Sequence, residues 1–181
     1  MNKEVFHTQE WIDEVVIGLG LCPFVVKGKN EPLLVSGDGK RYKDVLNACD
    51  FLFSLGEEKV ENFHQILIFS ACALEFIEFY ELSKEIQAAI DESNIALEVV
   101  CFHPEFQFDG ERTGDLSHYV NRSPYPSLHF ISTPLMNKAL ADRSVDFGEK
   151  VSHKNAETMN SFNAVELTEK VLRYTQGFWN R

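Results

Sequence analysis

The chain has no CxxC pair, no apolar run close to the length of a membrane span, and too little positive charge to balance its acids. Each shortage excludes something. The four cysteines, Cys22, Cys49, Cys72 and Cys101, are widely separated, which gives neither zinc-ribbon spacing nor a dithiol redox motif. Cys49, Cys72 and Cys101 fall on or beside apolar periodic runs and read as small core residues. A membrane helix needs roughly 20 consecutive apolar residues, and a secretory leader needs an apolar core that MNKEVFHTQEW lacks. The expected setting is a reducing cytoplasm, with no membrane partner. Against 28 Asp and Glu stand 17 Lys and Arg, a net charge of −11. Such a chain repels a phosphate backbone at long range, so nucleic acid is not an expected partner either. No repeat, low-complexity tract or linker rich in Gly, Pro or Ser divides residues 1–181, and one globular domain is expected.

What is present suffices for a core. Hydrophobic residues make up 44% of the chain, fifteen Phe among them, and this length needs neither disulfide nor metal to fold. Trp11, Ile12, Val15, Val16 and Leu19 share a helical face begun at 8–17, with Thr8 as N-cap, and GLGLCPF ends that helix. PLLVSG at 32–37 predicts a short strand. From Tyr42, the spacing of Val45, Leu46, Cys49, Leu52 and Phe53 is helical until Gly56. QILIFS at 65–70 predicts a second strand. A helix over 75–92 follows, with Phe76, Phe79, Leu82, Ile86 and Ile90 on its apolar side. ALEVVCF at 96–102 and SLHFIS at 127–132 predict strands three and four, and helical pieces follow at about 135–142, 145–158 and 161–175. This order predicts an α/β fold: a four-stranded mixed sheet flanked by helices, with extra helices at the C-terminus.

Two glycine-containing turns invite a nucleotide reading and fail it. GLGLCPF follows a helix rather than a strand, and Pro23 stands where a dinucleotide fingerprint has its third glycine. SGDGKR joins a strand to a helix, but Leu34 and Arg41 occupy positions where a phosphate loop has Gly and Ser or Thr. Its helix start, with Lys40 and Arg41, is either an anion holder or a plain solvated turn. Cys22 is the cysteine outside the apolar runs. As a nucleophile it needs a depressed thiol pKa and a partner such as His103, His129 or Lys27; otherwise it is a small residue under a turn.

The densest chemistry lies in FHPEFQFDGERTGDLSHYVNRSPYPSLHF, residues 102–130. His103 directly follows the third strand, at the edge where α/β sheets bind ligands, and His129 lies within the fourth. As a pair they are either a joint acid/base site or two hydrogen-bonded core residues. A zinc ion held by His103, His129 and either Asp115 or Cys22 is possible chemistry without a recognised spacing. Pro124 and Pro126 fix φ at two of three positions, which stiffens the segment bearing Asn121, Arg122 and Tyr125. Arg122 then offers a planar fork to a carboxylate or phosphate, or else ties the loop to Asp115. Residues 105–118 read as a flexible acidic excursion.

LGLCPF, FHPEFQFDG and NRSPYPSLH, in this order, resemble the signature blocks of a bacterial family, domain of unknown function 1415. The resemblance covers most of the chain and implies a soluble single domain, with no reaction to carry over. By position, Cys22, Pro23, His103, Pro104, Asp115, Asn121, Arg122, Pro124, Pro126 and His129 match the family's pattern. The chain departs from it at Phe106, where a tyrosine is expected, and at Ser132 and Thr133, where Arg-Glu is expected. The functional expectation is a protein acting on a small anionic molecule by hydrolysis or group transfer. Arg122 and Lys27 would bind the anion, and Asn121 and Tyr125 would position it. His103 would serve as acid/base supported by Asp115, His129 as second shuttle, and Cys22 as nucleophile or wall. Two alternatives are a non-catalytic ligand-binding module, whose histidines would be buried and neutral, and a structural loop built on Phe106, Phe108, Tyr119 and Tyr125.

Overall fold

A computed structural model of the protein describes residues 2–25, 27–140 and 147–175. Four strands, β1 (Leu33–Ser36), β2 (His64–Ile68), β3 (Leu97–Phe102) and β4 (Ser127–Ser132), form one sheet in the order β1-β2-β4-β3. β1 pairs parallel with β2, while β4 runs antiparallel to both β2 and β3. The mixed α/β sheet expected from the alternation of runs is therefore present.

β4 is flanked on both sides, and all six of its residues are buried. Its two serines satisfy themselves on the main chain: Ser127 Oγ donates to Tyr125 O and Ser132 Oγ to Glu61 O. Helices cover both faces. On one lie α2 (Tyr42–Cys49) and α4 (Phe76–Glu92), which bury Val45, Phe79, Leu82, Ile86 and Ile90 against Leu67, Cys101, Leu128 and Phe130. The periodicity of α4 is why it forms: its buried positions recur at three- and four-residue steps. On the other face, α1 (Lys3–Trp11) continues as a π-type turn over Ile12–Ile17, and Trp11, Ile12 and Val15 pack on Ile66 and Ile68. Met159 of α6 (Phe147–Asn160) and Val171, in the π-type turn Thr168–Leu172, join them.

Several boundaries differ from expectation. α1 starts at Lys3, so Thr8 is a buried mid-helix residue and not a cap. Beyond Cys49 the second helix tightens into a 3-10 turn over Asp50–Ser54, and α3 (Glu57–Val60) and a 3-10 turn at Leu116–Val120 were not anticipated. α5 (Thr133–Leu140) begins directly after β4; the expected ends at 142 and 145 lie outside the described residues. Ser132 accepts a hydrogen bond from Leu135 N, so it secures the start of α5. α7 (Ala164–Leu167) and α8 (Arg173–Thr175) flank the turn at 168–172. No helix among the described residues is long and apolar enough to cross a membrane.

Candidate functional site

Because β3 also runs parallel to β1 and β2, the C-terminal ends of these three strands and the start of β4 lie along one edge of the sheet. Open α/β sheets bind ligands outside such an edge. Here the edge carries the connections after β1, β2 and β3, tied together by Phe69 N donating to Pro126 O and Ala73 N to Lys40 O. Where the start of α4 meets the connection after β3, a cleft of about 490 Å3 opens, lined by Glu75, Phe76, Ile77, Pro104, Glu105, Gln107 and Arg122.

Arg122 is the cleft's cation, and its position is fixed twice. Its Nε donates to Phe106 O at 3.1 Å, and its guanidinium carbon lies 4.5 Å from the centre of the Tyr119 ring. Phe106 is itself locked, 5% exposed, with ring centroids 5.0 Å from Phe76 and 4.9 Å from Phe108. Arg122 does not pair with Asp115. That carboxylate accepts from Arg112 N at 2.9 Å and closes a local turn.

His103 lies behind the cleft and is not part of its lining. It is 4% exposed, between Phe76 and Phe79. Glu105 N donates to its Nδ1, so the ring proton sits on Nε2, which faces Leu74 O at 3.4 Å. Both nitrogens are spent on the main chain, and burial lowers the pKa of the ring, with Leu74 O and the Glu75 charge opposing in part.

His129 faces the other way. It pairs with Val100 across β3 and with Ile66 across β2, and its ring stacks on Phe102 at 6.2 Å, whereas His103 follows the parity of Cys101 onto the α4 side. The two expected partners are thus on opposite faces of the sheet. The neighbour of His129 is instead His64, with ring centroids 4.8 Å apart. Burial brings His129 down to about 3, with the His64 ring adding to the effect. His64 is brought down to about 4, also by burial, with the Asn30 backbone opposing. His129 Nε2 has no hydrogen-bond partner among the described residues.

The other expected site residues are dispersed. Cys22 packs at the margin of the α1-side core, and burial raises its thiol pKa despite backbone donors from Phe24 and Val25. Lys27 pairs with Asp13 at 2.9 Å on the surface. Asn121 Nδ2 donates to Cys101 O, and Asn121 O accepts from His103 N, which sews the loop onto the end of β3. Tyr125 is buried on the α1 side with its hydroxyl 2.8 Å from His7 Nδ1, and burial raises its pKa. Of the expected set, the cleft therefore takes Arg122. The set considered for zinc does not converge, and the described residues include no group of three or more His, Cys, Asp or Glu placed to hold a metal.

The flexible reading of 105–118 needs correction, while SGDGKR takes the plain-turn alternative. The 105–118 excursion is organised around His118, which is fully buried: Phe108 N donates to its Nδ1 at 3.1 Å, and its Nε2 donates to Arg112 O at 2.8 Å. Ser117 Oγ also donates to Glu111. In SGDGKR, the carboxylate of Asp44 accepts from Arg41 N and from its guanidinium at 3.1–3.2 Å, so the chain's own acid occupies the start of α2. The first glycine has a packing reason, since a Cβ on Gly37 would stand 2.6 Å from the Phe69 ring.

Sequence reasoning missed Glu75, Glu105, Gln107 and Ile77 as cleft residues, and His64 as the partner of His129. Only the Pro104-Glu105 pair just after a strand end hinted at Glu105; the rest depends on packing between segments about thirty residues apart. No curated protein and no solved structure matches the chain. The family model described as "Protein of unknown function (DUF1415)" matches residues 4–169, and the chain belongs to that family.

Proposed function

We propose that the protein is a small-ligand-binding module that seats an anionic group of its ligand on Arg122. The observation that carries this reading is the fixed guanidinium in the cleft at the sheet edge. With Nε committed to Phe106 O, the two terminal nitrogens of the fork have no hydrogen-bond partner among the described residues. A pre-positioned fork loses little entropy on binding a carboxylate or phosphate. The buried His103 and His129, whose pKa values burial lowers, support binding over catalysis, because a general acid/base must reach its substrate and His103 is sealed behind the cleft.

Isothermal titration calorimetry with simple carboxylates, organic phosphates and amino acids tests the proposal. Binding by wild type that weakens at least about tenfold in Arg122→Met is the expected result, as a charge-assisted pair is worth about 1.5–3 kcal/mol; the variant also loses the bond to Phe106 O, so a thermal melt checks that it stays folded at the assay temperature. Equal affinity in Arg122→Met would remove Arg122 from the site. Turnover of any bound compound would restore a hydrolase or transferase reading.

A further inference from the structure

We propose that the ligand of this cleft is a zwitterion of the amino-acid type, with its carboxylate on Arg122, its ammonium on Glu105 and Glu75, and its apolar body against Phe76, Ile77 and Pro104. This rests on the reading of Arg122 as the anion seat and names the ligand's chemical class.

The charge layout makes the case. Arg122 shares the cleft with two carboxylates, Glu75 and Glu105, so the lining as a whole is negative. A simple anion entering it is attracted by one group and repelled by two, on a protein whose net charge is already −11. A zwitterion meets both signs and is not repelled at long range.

The second observation is that these opposite charges do not neutralise each other. Among the described residues Arg122 makes no ion pair with any carboxylate, although a guanidinium and carboxylates in one cleft ordinarily close on one another. The Phe106 carbonyl and the Tyr119 ring hold the fork in place, while Glu105 is anchored through its backbone N to His103. A site with a fixed cation and separate carboxylates is complementary to a molecule that carries both signs.

The third is the apolar wall. Ile77 is 64% exposed at the start of α4, with Phe76 beside it and Pro104 across the cleft. An aliphatic or aromatic side chain placed there would cover Ile77. A second cleft of about 510 Å3 adjoins and shares Phe76, Ile77 and Gln107, which leaves room for a side chain longer than that of alanine or valine.

The test is calorimetric binding of the common α-amino acids, each compared with its N-acetyl and its carboxamide forms, and of acetate and inorganic phosphate. At least one free amino acid is expected to bind, with either block weakening it about tenfold or more, the equivalent of one lost charge-assisted contact. Glu105→Gln is expected to lower the preference for the free amine, with Glu75 holding the remainder, while leaving N-acetyl amino acids bound, and Arg122→Met to abolish binding of both. Glu105 is exposed, so its variant retains the fold, and a thermal melt checks this. If N-acetyl amino acids or phosphate bind as tightly as any free amino acid, and Glu105→Gln changes nothing, the zwitterion inference falls while the Arg122 site stands. If no free, blocked or simple anion binds, both fall.

Discussion

The most exposed consequence of this architecture concerns acid. His129 is held neutral inside the sheet, with its pKa down from 6.5 to about 3 because the charged ring would have to be buried beside His64. The unfolded chain takes up a proton at this position near pH 6.5, while the folded chain stays unprotonated until about pH 3. Between those values the unfolded state binds more protons, so stability is full above pH 6.5 and falls as pH drops through this window. Each pH unit well inside it costs about 1.4 kcal/mol, and integration from pH 7.5 to 4.5 gives a loss of about 2–3 kcal/mol from this one side chain. Urea unfolding of wild type and His129→Leu at pH 7.5, 6.5, 5.5 and 4.5 isolates it, because both proteins share every carboxylate. The variant's stability relative to wild type is expected to rise by about 2–3 kcal/mol over that range. Parallel curves would refute the reasoning and would mean that His129 reaches solvent or a partner that accepts its charge.

Other perturbations follow from single contacts. Cys22, its thiol raised by burial, is expected to react with iodoacetamide at pH 7.5 more slowly than glutathione, and as fast as glutathione only after unfolding in urea; rapid native labelling would revive it as a nucleophile. His118→Ala leaves Phe108 N and Arg112 O facing a hole, for a loss of about 2–4 kcal/mol and new protease cleavage within 105–118. Unchanged cleavage would restore the flexible excursion. Gly37→Ala drives a methyl group into Phe69 and is expected to cost about 1–3 kcal/mol in a urea melt; a neutral result would mean that the turn yields.

The strands and the long helix were legible because they bury one face or both, and burial writes a period into the sequence. α4 shows this in Phe76, Phe79, Leu82, Ile86 and Ile90, and the bounds of β4 coincide with SLHFIS. The start of α1 was not legible, because Thr8 looks like a cap when the preceding VFH is not known to be packed. The pairing of histidines was beyond reach for a sharper reason. Alternation along β4 does place His129 opposite Leu128, but which face His103 shares depends on the register of β3 against β4, a contact between residues about thirty apart. In the same way Arg122 was legible from its proline frame, while Glu75 needed the start of α4 to be docked against the connection after β3.

The buried histidines and the cleft divide the work in a way that changes what the dense segment at 102–130 is for. His103 and His118 each spend two ring nitrogens on main-chain groups, which is how a long polar connection satisfies its backbone without forming a helix or strand. Reactive side chains there hold the loop in shape, and the loop's shape in turn holds Arg122 through the carbonyl of Phe106. The cleft's own lining has no imidazole and no thiol. Its recognition chemistry thus consists of fixed charges and apolar surface. Histidine substitutions are therefore expected to weaken binding only as far as they loosen the loop. His118→Ala should raise the dissociation constant of a bound ligand while the wild-type protein's affinity stays flat from pH 6 to 8. A titration of affinity near pH 6.5 would instead put an imidazole in the site.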